Sequence, residues 1–215
     1  MKNKLNLLSL VLLTILFNSN LLQSKNKEVN MDNLKNEKNT FIVAGGCFWC
    51  IETDFLKLKG VIDTEVGYIG GDSPNPTYEG VSSQKDKGYY EGMKVYYDAN
   101  VLSYEDLLDY FFKHIDPTDG EGQFCDRGLQ YSTAIFYNTK EEEAKIKDYI
   151  AKLDDSKILP DKVKTKLIYG KKFWIGEDYH QKYAKKNPIR YKYYRTSCGR
   201  DKRVAEVWSK LKDVR

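Results

Sequence analysis

Histidine is scarce in this chain. Of 215 residues only His114 and His180 carry an imidazole, and the four cysteines make a single C-x-x-C spacing, Cys47 to Cys50. That stock does not fit a structural zinc site built from paired Cys and His halves. A one-sided charge is also missing: 35 Lys and Arg face 31 Asp and Glu, for a net +4. A nucleic-acid binder keeps a marked basic excess or a basic stripe, so that class drops out. No apolar run is long enough for a spanning helix of about 20 residues, since the longest extends only from Leu5 to Phe17. Internal repeats are absent.

What is present points to one folded domain. The length can bury a core without disulfide staples. Apolar and aromatic residues recur through residues 41–215, with 17 Tyr against 9 Phe and 3 Trp, which excludes disorder over most of the chain. The exception is the start. Lys2 and Lys4 precede the apolar run, and Asn18, Ser19, Asn20 and Ser24 follow it. Residues 1–24 therefore read as a secretory signal, with an uncleaved membrane anchor as the alternative. Residues 25–39 read as a polar linker, and the folded domain should occupy residues 40–215. An exported protein with four Cys could hold two disulfides, yet Cys47 and Cys50 sit at a strand–helix junction where reactive thiols are equally expected.

The pattern predicts a strand from Thr40 to Ala44, a helix from Cys47 to Gly60, a strand from Val61 to Tyr68 and a loop over 72–88. It continues with a strand from Tyr89 to Tyr97, a helix opened by Ser103, a Gly-rich loop from Asp116 to Gly128 and a strand from Tyr131 to Tyr137. Thr139 and Glu142 predict a capping box for a charged helix. A strand from Val163 to Tyr169, a helix from Glu177 to Lys186 stopped by Pro188, and a terminal amphipathic helix complete the chain. Strands and helices mix without strict alternation, which is an α+β pattern.

Two features carry chemistry. Gly45-Gly46-Cys47 places a thiol at the first turn of a helix, where unpaired N–H groups should lower its pKa and favour a nucleophilic thiolate. A small buried structural Cys is the plainer reading. Glu91 is the one parity violation in the strand from Tyr89 to Tyr97, a carboxyl on the apolar face. Burial there would keep it neutral and make it a general acid; a buried ion pair is the alternative. Tyr78, Tyr131 and His180, taken singly, are packing residues as readily as hydrogen-bond donors or bases.

As an ordered set the residues resemble the peptide methionine sulfoxide reductase A family. The resemblance runs through Gly45-Gly46-Cys47-Phe48-Trp49 with Glu52, Gly67-Tyr68-Ile69-Gly70-Gly71 and Asn75-Pro76-Thr77-Tyr78. It continues in Gly122-Gln123-Phe124-Cys125-Asp126-Arg127-Gly128 with Gln130-Tyr131, in Glu177-Asp178-Tyr179-His180-Gln181, and in Cys198-Gly199-Arg200-Asp201. It implies a single-domain α+β fold, a two-layer sandwich with a mixed sheet. It further implies reduction of methionine-S-sulfoxide, free or in proteins, with no bound cofactor or metal and with electrons from a thioredoxin-like dithiol. By the same resemblance Cys47 is the nucleophile, Glu91 the acid, Tyr78 and Tyr131 the hydroxyls that hold the sulfoxide oxygen, and Asp126 a supporting carboxylate. Phe48 and Trp49 would form the pocket for the S-methyl group. One departure stands out: the family's Gly-His-Ala-Glu is here Gly88-Tyr89-Tyr90-Glu91, with bulkier neighbours beside the acid.

Cys198, on a tail read as flexible, matches the family's C-terminal recycling thiol; Cys125 and Cys50 are the alternatives for resolving an oxidised Cys47. Two other functions remain open on residues alone. One is an exported thioredoxin-like oxidoreductase using Cys47 and Cys50, the other an exported binding domain held by two disulfides. A periplasmic or other extracytoplasmic location and a monomeric state are the expectations.

Overall fold

The computed structural model describes residues 39–212; the proposed signal and nearly all of the polar linker lie outside the described residues. Eight strands are present among the described residues: β1 Thr40–Gly45, β2 Val61–Ile69, β3 Tyr90–Tyr97, β4 Gly122–Gln123, β5 Asp126–Arg127, β6 Thr133–Tyr137, β7 Lys166–Tyr169 and β8 Phe173–Ile175. The helices are α1 Phe48–Phe55, α2 Tyr78–Ser82, α3 Tyr104–Phe112, α4 Lys140–Asp155, α5 Tyr183–Lys186, α6 Pro188–Ser197 and α7 Arg200–Val207. Six strands form one mixed sheet in the order β7-β6-β1-β3-β2-β8, antiparallel except for the β6–β7 pair; β4 and β5 make a separate small hairpin. Among the described residues no helix is long and apolar enough to cross a membrane.

Side-chain alternation on the central strands decides where the core sits. Val43 of β1, Val66 of β2, and Met93 and Val95 of β3 pack with Ile51 and Phe55 of α1 and with Leu107 and Phe111 of α3. The opposite face holds a smaller cluster of Ala44, Ile69, Tyr90, Ala134 and Phe136. This is the α+β architecture expected from the sequence. Both predicted N-caps form capping boxes: Ser103 with Asp106 on α3, and Thr139 with Glu142 on α4. Each pairs two otherwise orphaned N–H groups.

The differences lie where local signals were short. The 72–88 loop contains α2, capped by the Thr77 hydroxyl accepting from the Gly80 N–H at 3.1 Å. Tyr131 ends a 3-10 turn rather than opening β6, and β7 begins at Lys166 rather than Val163. β8, too short for a periodicity, went unpredicted; it lies so close to β2 that a Cβ on Gly67 would stand 2.0 Å from the Trp174 carbonyl oxygen. Between Glu177 and Lys186 only α5 is helical, and Pro188 opens α6 instead of stopping a helix. A proline at the first helical position loses no hydrogen bond, because that N–H is unpaired anyway. The tail expected to be flexible is therefore helix from Pro188 to Ser197.

Candidate active site

β1 delivers the chain to Gly46, whose φ of +81° suits glycine; a Cβ there would lie 2.7 Å from Cβ of Gln123. The turn puts Cys47 at the N-cap of α1, 6% exposed. The first N–H groups of a helix have no intrahelical acceptor, and that of Phe48 donates to Oε2 of Glu91 at 3.0 Å. Glu91 faces the core from β3, in line with Met93 and Val95, and is 3% exposed. Burial pushes its carboxyl up to about 8, helped by the nearby charge of Asp126 and opposed by the Phe48 N–H. It is therefore neutral near neutral pH, as its place on the apolar face suggested.

Cys47, Phe48, Trp49, Tyr78, Glu91, Asp126, Tyr131 and Tyr194 line one pocket of about 60 Å³. That space admits the tip of a side chain. All the sequence-predicted residues except the candidate resolving thiols thus meet in one place. Tyr78 opens α2, and its N–H donates to Glu177 Oε1 at 2.9 Å, while the Tyr68 hydroxyl holds Oε2 at 2.6 Å. Burial, then the charge of Glu91, raises the Tyr78 phenol to about 12 and the Tyr131 phenol further still. Both remain O–H donors. The bulky Tyr89 and Tyr90 do not intrude. Tyr89 donates its hydroxyl to the Ser73 carbonyl, and Tyr90 packs edge-on against Phe136 on the far face of the sheet.

The apolar wall is held rigidly. Trp49 stacks on Tyr183 at 3.8 Å with an interplanar angle of 8°. Its indole N–H donates to Nδ1 of His180 at 3.0 Å. His180 is fully buried, and burial lowers its pKa to about 4. The ring is neutral, and with Nδ1 accepting, its proton is assigned to Nε2. His180 also lies 4.9 Å from the Phe48 ring and 4.5 Å from that of Tyr78, between centroids. It packs the pocket's wall and does not line the pocket.

One expectation reverses. Burial, the largest influence, drives the Cys47 thiol well above its ordinary pKa; hydrogen bonding to Cys50 and the charge of Glu91 add to this. A helix N-terminus stabilises a thiolate by less than complete desolvation costs it. At rest Cys47 is a thiol.

Tyr194 is the site residue that sequence reading missed. Its hydroxyl donates to Asp126 Oδ2, and it lines the same pocket as Cys47. The available signal was spacing: Tyr194 and Cys198 are four apart on what proves to be a helix. Glu52 is a buried structural support. It is 1% exposed and accepts from the Lys182 N–H at 2.9 Å and the Thr64 hydroxyl at 3.0 Å, which pins α1 to the segment carrying His180.

Cys198 caps the end of α6 and is disulfide-bonded to Cys125 of the β4–β5 hairpin; Cys47 and Cys50 are free and buried. Cys198 Sγ lies 3.9 Å from Asp126 Oδ2. Asp126 and Tyr194 thus bridge this pocket to the disulfide. Donor atoms of Cys125, Asp126 and Cys198 cluster within 4.8 Å, but with both sulfurs in a covalent bond no thiolate pair is left to hold a metal.

The family model for peptide methionine sulfoxide reductase matches residues 39–212. The chain is 46% identical over 202 residues to a Vibrio cholerae protein named peptide methionine sulfoxide reductase MsrA/MsrB, covering 94% of this chain and 52% of that one. It thus spans about half the length of that relative. It is 41% identical over 179 residues to MsrA of Bacillus licheniformis, covering 83% of this chain and 97% of the relative. Among solved structures it is similar to methionine sulfoxide reductase A of Corynebacterium diphtheriae, with a TM-score of 0.61, 29% identity, and coverage of 70% of this chain and 76% of that one. It is also similar to reduced Mxr1 of Saccharomyces cerevisiae, with a TM-score of 0.59, 31% identity, and coverage of 70% and 86%. The chain belongs to the peptide methionine sulfoxide reductase family.

Proposed function

We propose that this chain reduces methionine-S-sulfoxide, free or within oxidised proteins, to methionine, with Cys47 as nucleophile and Glu91 as acid. The observation that carries this reading is the meeting of a thiol, a neutral carboxyl and two phenols in one small, partly apolar pocket. A sulfoxide sulfur is a weak electrophile until its oxygen is protonated. Tyr78 and Tyr131 donate hydrogen bonds to that oxygen, and Glu91 gives it a proton, in the manner of an oxyanion site. The Cys47 proton returns to the Glu91 carboxylate as the sulfur attacks. Attack joins the Cys47 sulfur to the substrate sulfur; the hydroxyl then moves from the substrate sulfur to Cys47 as that S–S bond breaks, so methionine leaves and Cys47 is left as sulfenic acid. Protons and electrons balance: thiol and sulfoxide become sulfenic acid and thioether. Phe48 and Trp49 hold the S-methyl group.

Cys198 then condenses with the sulfenic acid and releases water, and Cys125 attacks Cys198 to free Cys47. The product of that exchange is the bonded pair Cys125–Cys198 with Cys47 reduced. Cys125 is exposed, and a cleft of about 690 Å³ that includes Cys198 and Phe124 opens beside the bond. An external thioredoxin-like dithiol reaches the disulfide there, so no bound cofactor is required. The signal-like residues 1–24 favour action outside the cytoplasm. The monomer is the working state. The alternative of a thioredoxin-like oxidoreductase is disfavoured by the buried acid and phenols around Cys47, which disulfide exchange does not need.

A stereospecific assay tests the assignment. Purified S and R sulfoxides are supplied separately with a dithiol reductant. Consumption of the S form supports the proposal, and consumption of the R form alone overturns it.

A further inference from the structure

The Cys125–Cys198 bond excludes a metal only while it is closed. Once reduced, the two residues are a thiol pair beside the Asp126 carboxylate, with one donor atom of each residue within 4.8 Å of the others. Sγ of Cys125 lies 3.7 Å from Oδ1 of Asp126, and Sγ of Cys198 lies 3.9 Å from Oδ2. A tetrahedral zinc ion with Zn–S of about 2.3 Å and Zn–O of about 2.0–2.2 Å sets its S···O edges at about 3.5–3.7 Å. Both edges are thus close to the required length before any ion arrives, and reduction lets the sulfurs part. The surroundings suit a cation as well. The Cys125 N–H points at Cys198 Sγ at 3.2 Å, a bond that steadies a ligating thiolate, and the Tyr194 hydroxyl orients the carboxylate through Oδ2. Cys198 lines the cleft of about 690 Å³ together with Asp119 and Glu121, which gives an ion a path in and a water to complete its shell. Two thiolates and a carboxylate carry three negative charges. Zinc offsets two, and the Arg200 guanidinium, whose charge acts on Asp126, offsets the third.

We propose that the reduced Cys125–Cys198 pair and Asp126 form a binding site for a thiophilic divalent cation, zinc first, and that the bound ion locks the pair out of recycling. Thiolate sulfur selects zinc over magnesium and calcium, which take oxygen ligands. Binding displaces two thiol protons and leaves every oxidation state unchanged. Closing the disulfide takes both sulfurs from the ion and expels it, so the site exists in one redox state of the chain only. The lock rests on the sulfoxide-reductase reading; the site does not. Without zinc and without an external reductant, a reduced chain makes two methionines. The first leaves Cys125–Cys198 closed and Cys47 free, and the second leaves Cys47 oxidised. With zinc on Cys125 and Cys198, neither thiol reaches the Cys47 sulfenic acid, and the chain stops at one.

The test uses the full chain, reduced and freed of reductant and metal. Cobalt(II) is added as a spectroscopic probe, and zinc is titrated in competition with a chromophoric chelator. Expected are one equivalent bound, thiolate-to-cobalt charge-transfer bands with tetrahedral visible bands, displacement by zinc, and no binding once the disulfide is closed. Cys125→Ser and Cys198→Ser should each weaken binding by more than about 100-fold, and Asp126→Asn by about 10–100-fold. A Cys47→Ser/Cys50→Ser chain should bind as the wild type does. The site is overturned if the reduced chain takes up no ion, if the cobalt spectrum lacks thiolate bands, or if binding survives in a Cys125→Ser/Cys198→Ser chain. The lock is read from methionine formed per chain with excess methionine-S-sulfoxide and no reductant, which should fall from two to one when zinc is bound. An unchanged yield overturns the lock. A chain that makes no methionine even without zinc refutes the sulfoxide-reductase reading alone, because the binding measurements do not depend on turnover.

Discussion

The Phe48 N–H and the Glu91 carboxylate oxygen are 3.0 Å apart, which fixes the acid of a central strand against the first residue of the helix that Cys47 caps. The contact spans 43 residues of sequence. It holds the acid next to the thiol while leaving the second carboxyl oxygen to carry the proton.

Replacing Glu91 by Gln keeps the shape and removes the acid. The rate of methionine formation in single turnover should fall by about 10²–10⁴-fold, the usual worth of a general acid. In the wild-type chain the same rate should decline above pH of about 8, where the carboxyl ionises; Glu91→Gln should lack that limb. A stopped-flow or quench pH profile reads both.

Stability should carry the same signature. The folded chain keeps the Glu91 proton between its ordinary pKa of 4.5 and about 8, whereas the unfolded chain releases it. The folded state binds more protons, so this contribution is complete below that window and is lost as pH rises through it, by up to about 1.4 kcal/mol per pH unit. Urea unfolding of wild type and Glu91→Gln at several pH values should show the variant losing less stability on going from pH 5 to pH 8.

Tyr78→Phe and Tyr131→Phe each remove one donor aimed into the pocket. Each should lower kcat by about tenfold, the effect of one hydrogen bond of about 1.4 kcal/mol, with KM little changed. The double variant should lose more than either. A large rise in KM with unchanged kcat would assign them to ground-state binding instead.

Cys198→Ser cannot form the bond to Cys125. Turnover supported by a thioredoxin-like protein should fall by more than tenfold, while the first methionine in single turnover is still made. Equal steady-state rates in wild type and variant would remove Cys198 from the electron path.

Lys182→Met strips the cation from Glu52, whose carboxylate is 1% exposed and sits 3.2 Å from the Lys182 Nζ. Lys182 is 29% exposed, so removing it costs less than the ~3–5 kcal/mol of a fully buried pair, about 1–3 kcal/mol. Thermal unfolding should show a clearly lower midpoint, and Trp49 fluorescence should change because the segment that holds His180 loosens.

Much of this protein was readable from residue order alone. Alternation in β3 exposed Glu91 as a carboxyl on an apolar face, and the Ser103 and Thr139 caps marked α3 and α4, because those signals are local and repeat every two or four residues. The Gly-Gly-Cys turn singled out Cys47 for the same reason. Folding settled the matters that depend on distance through space. It brought Tyr78, Asp126 and Tyr131 onto Cys47, gave Tyr194 its place between the pocket and the Cys125–Cys198 bond, and reversed the expected direction of the Cys47 pKa. That reversal arises because the charge-stabilising helix end is a feature of the local chain, whereas the removal of water around the sulfur is produced by segments distant in sequence, from Tyr78 and Glu91 to Tyr183 and Tyr194.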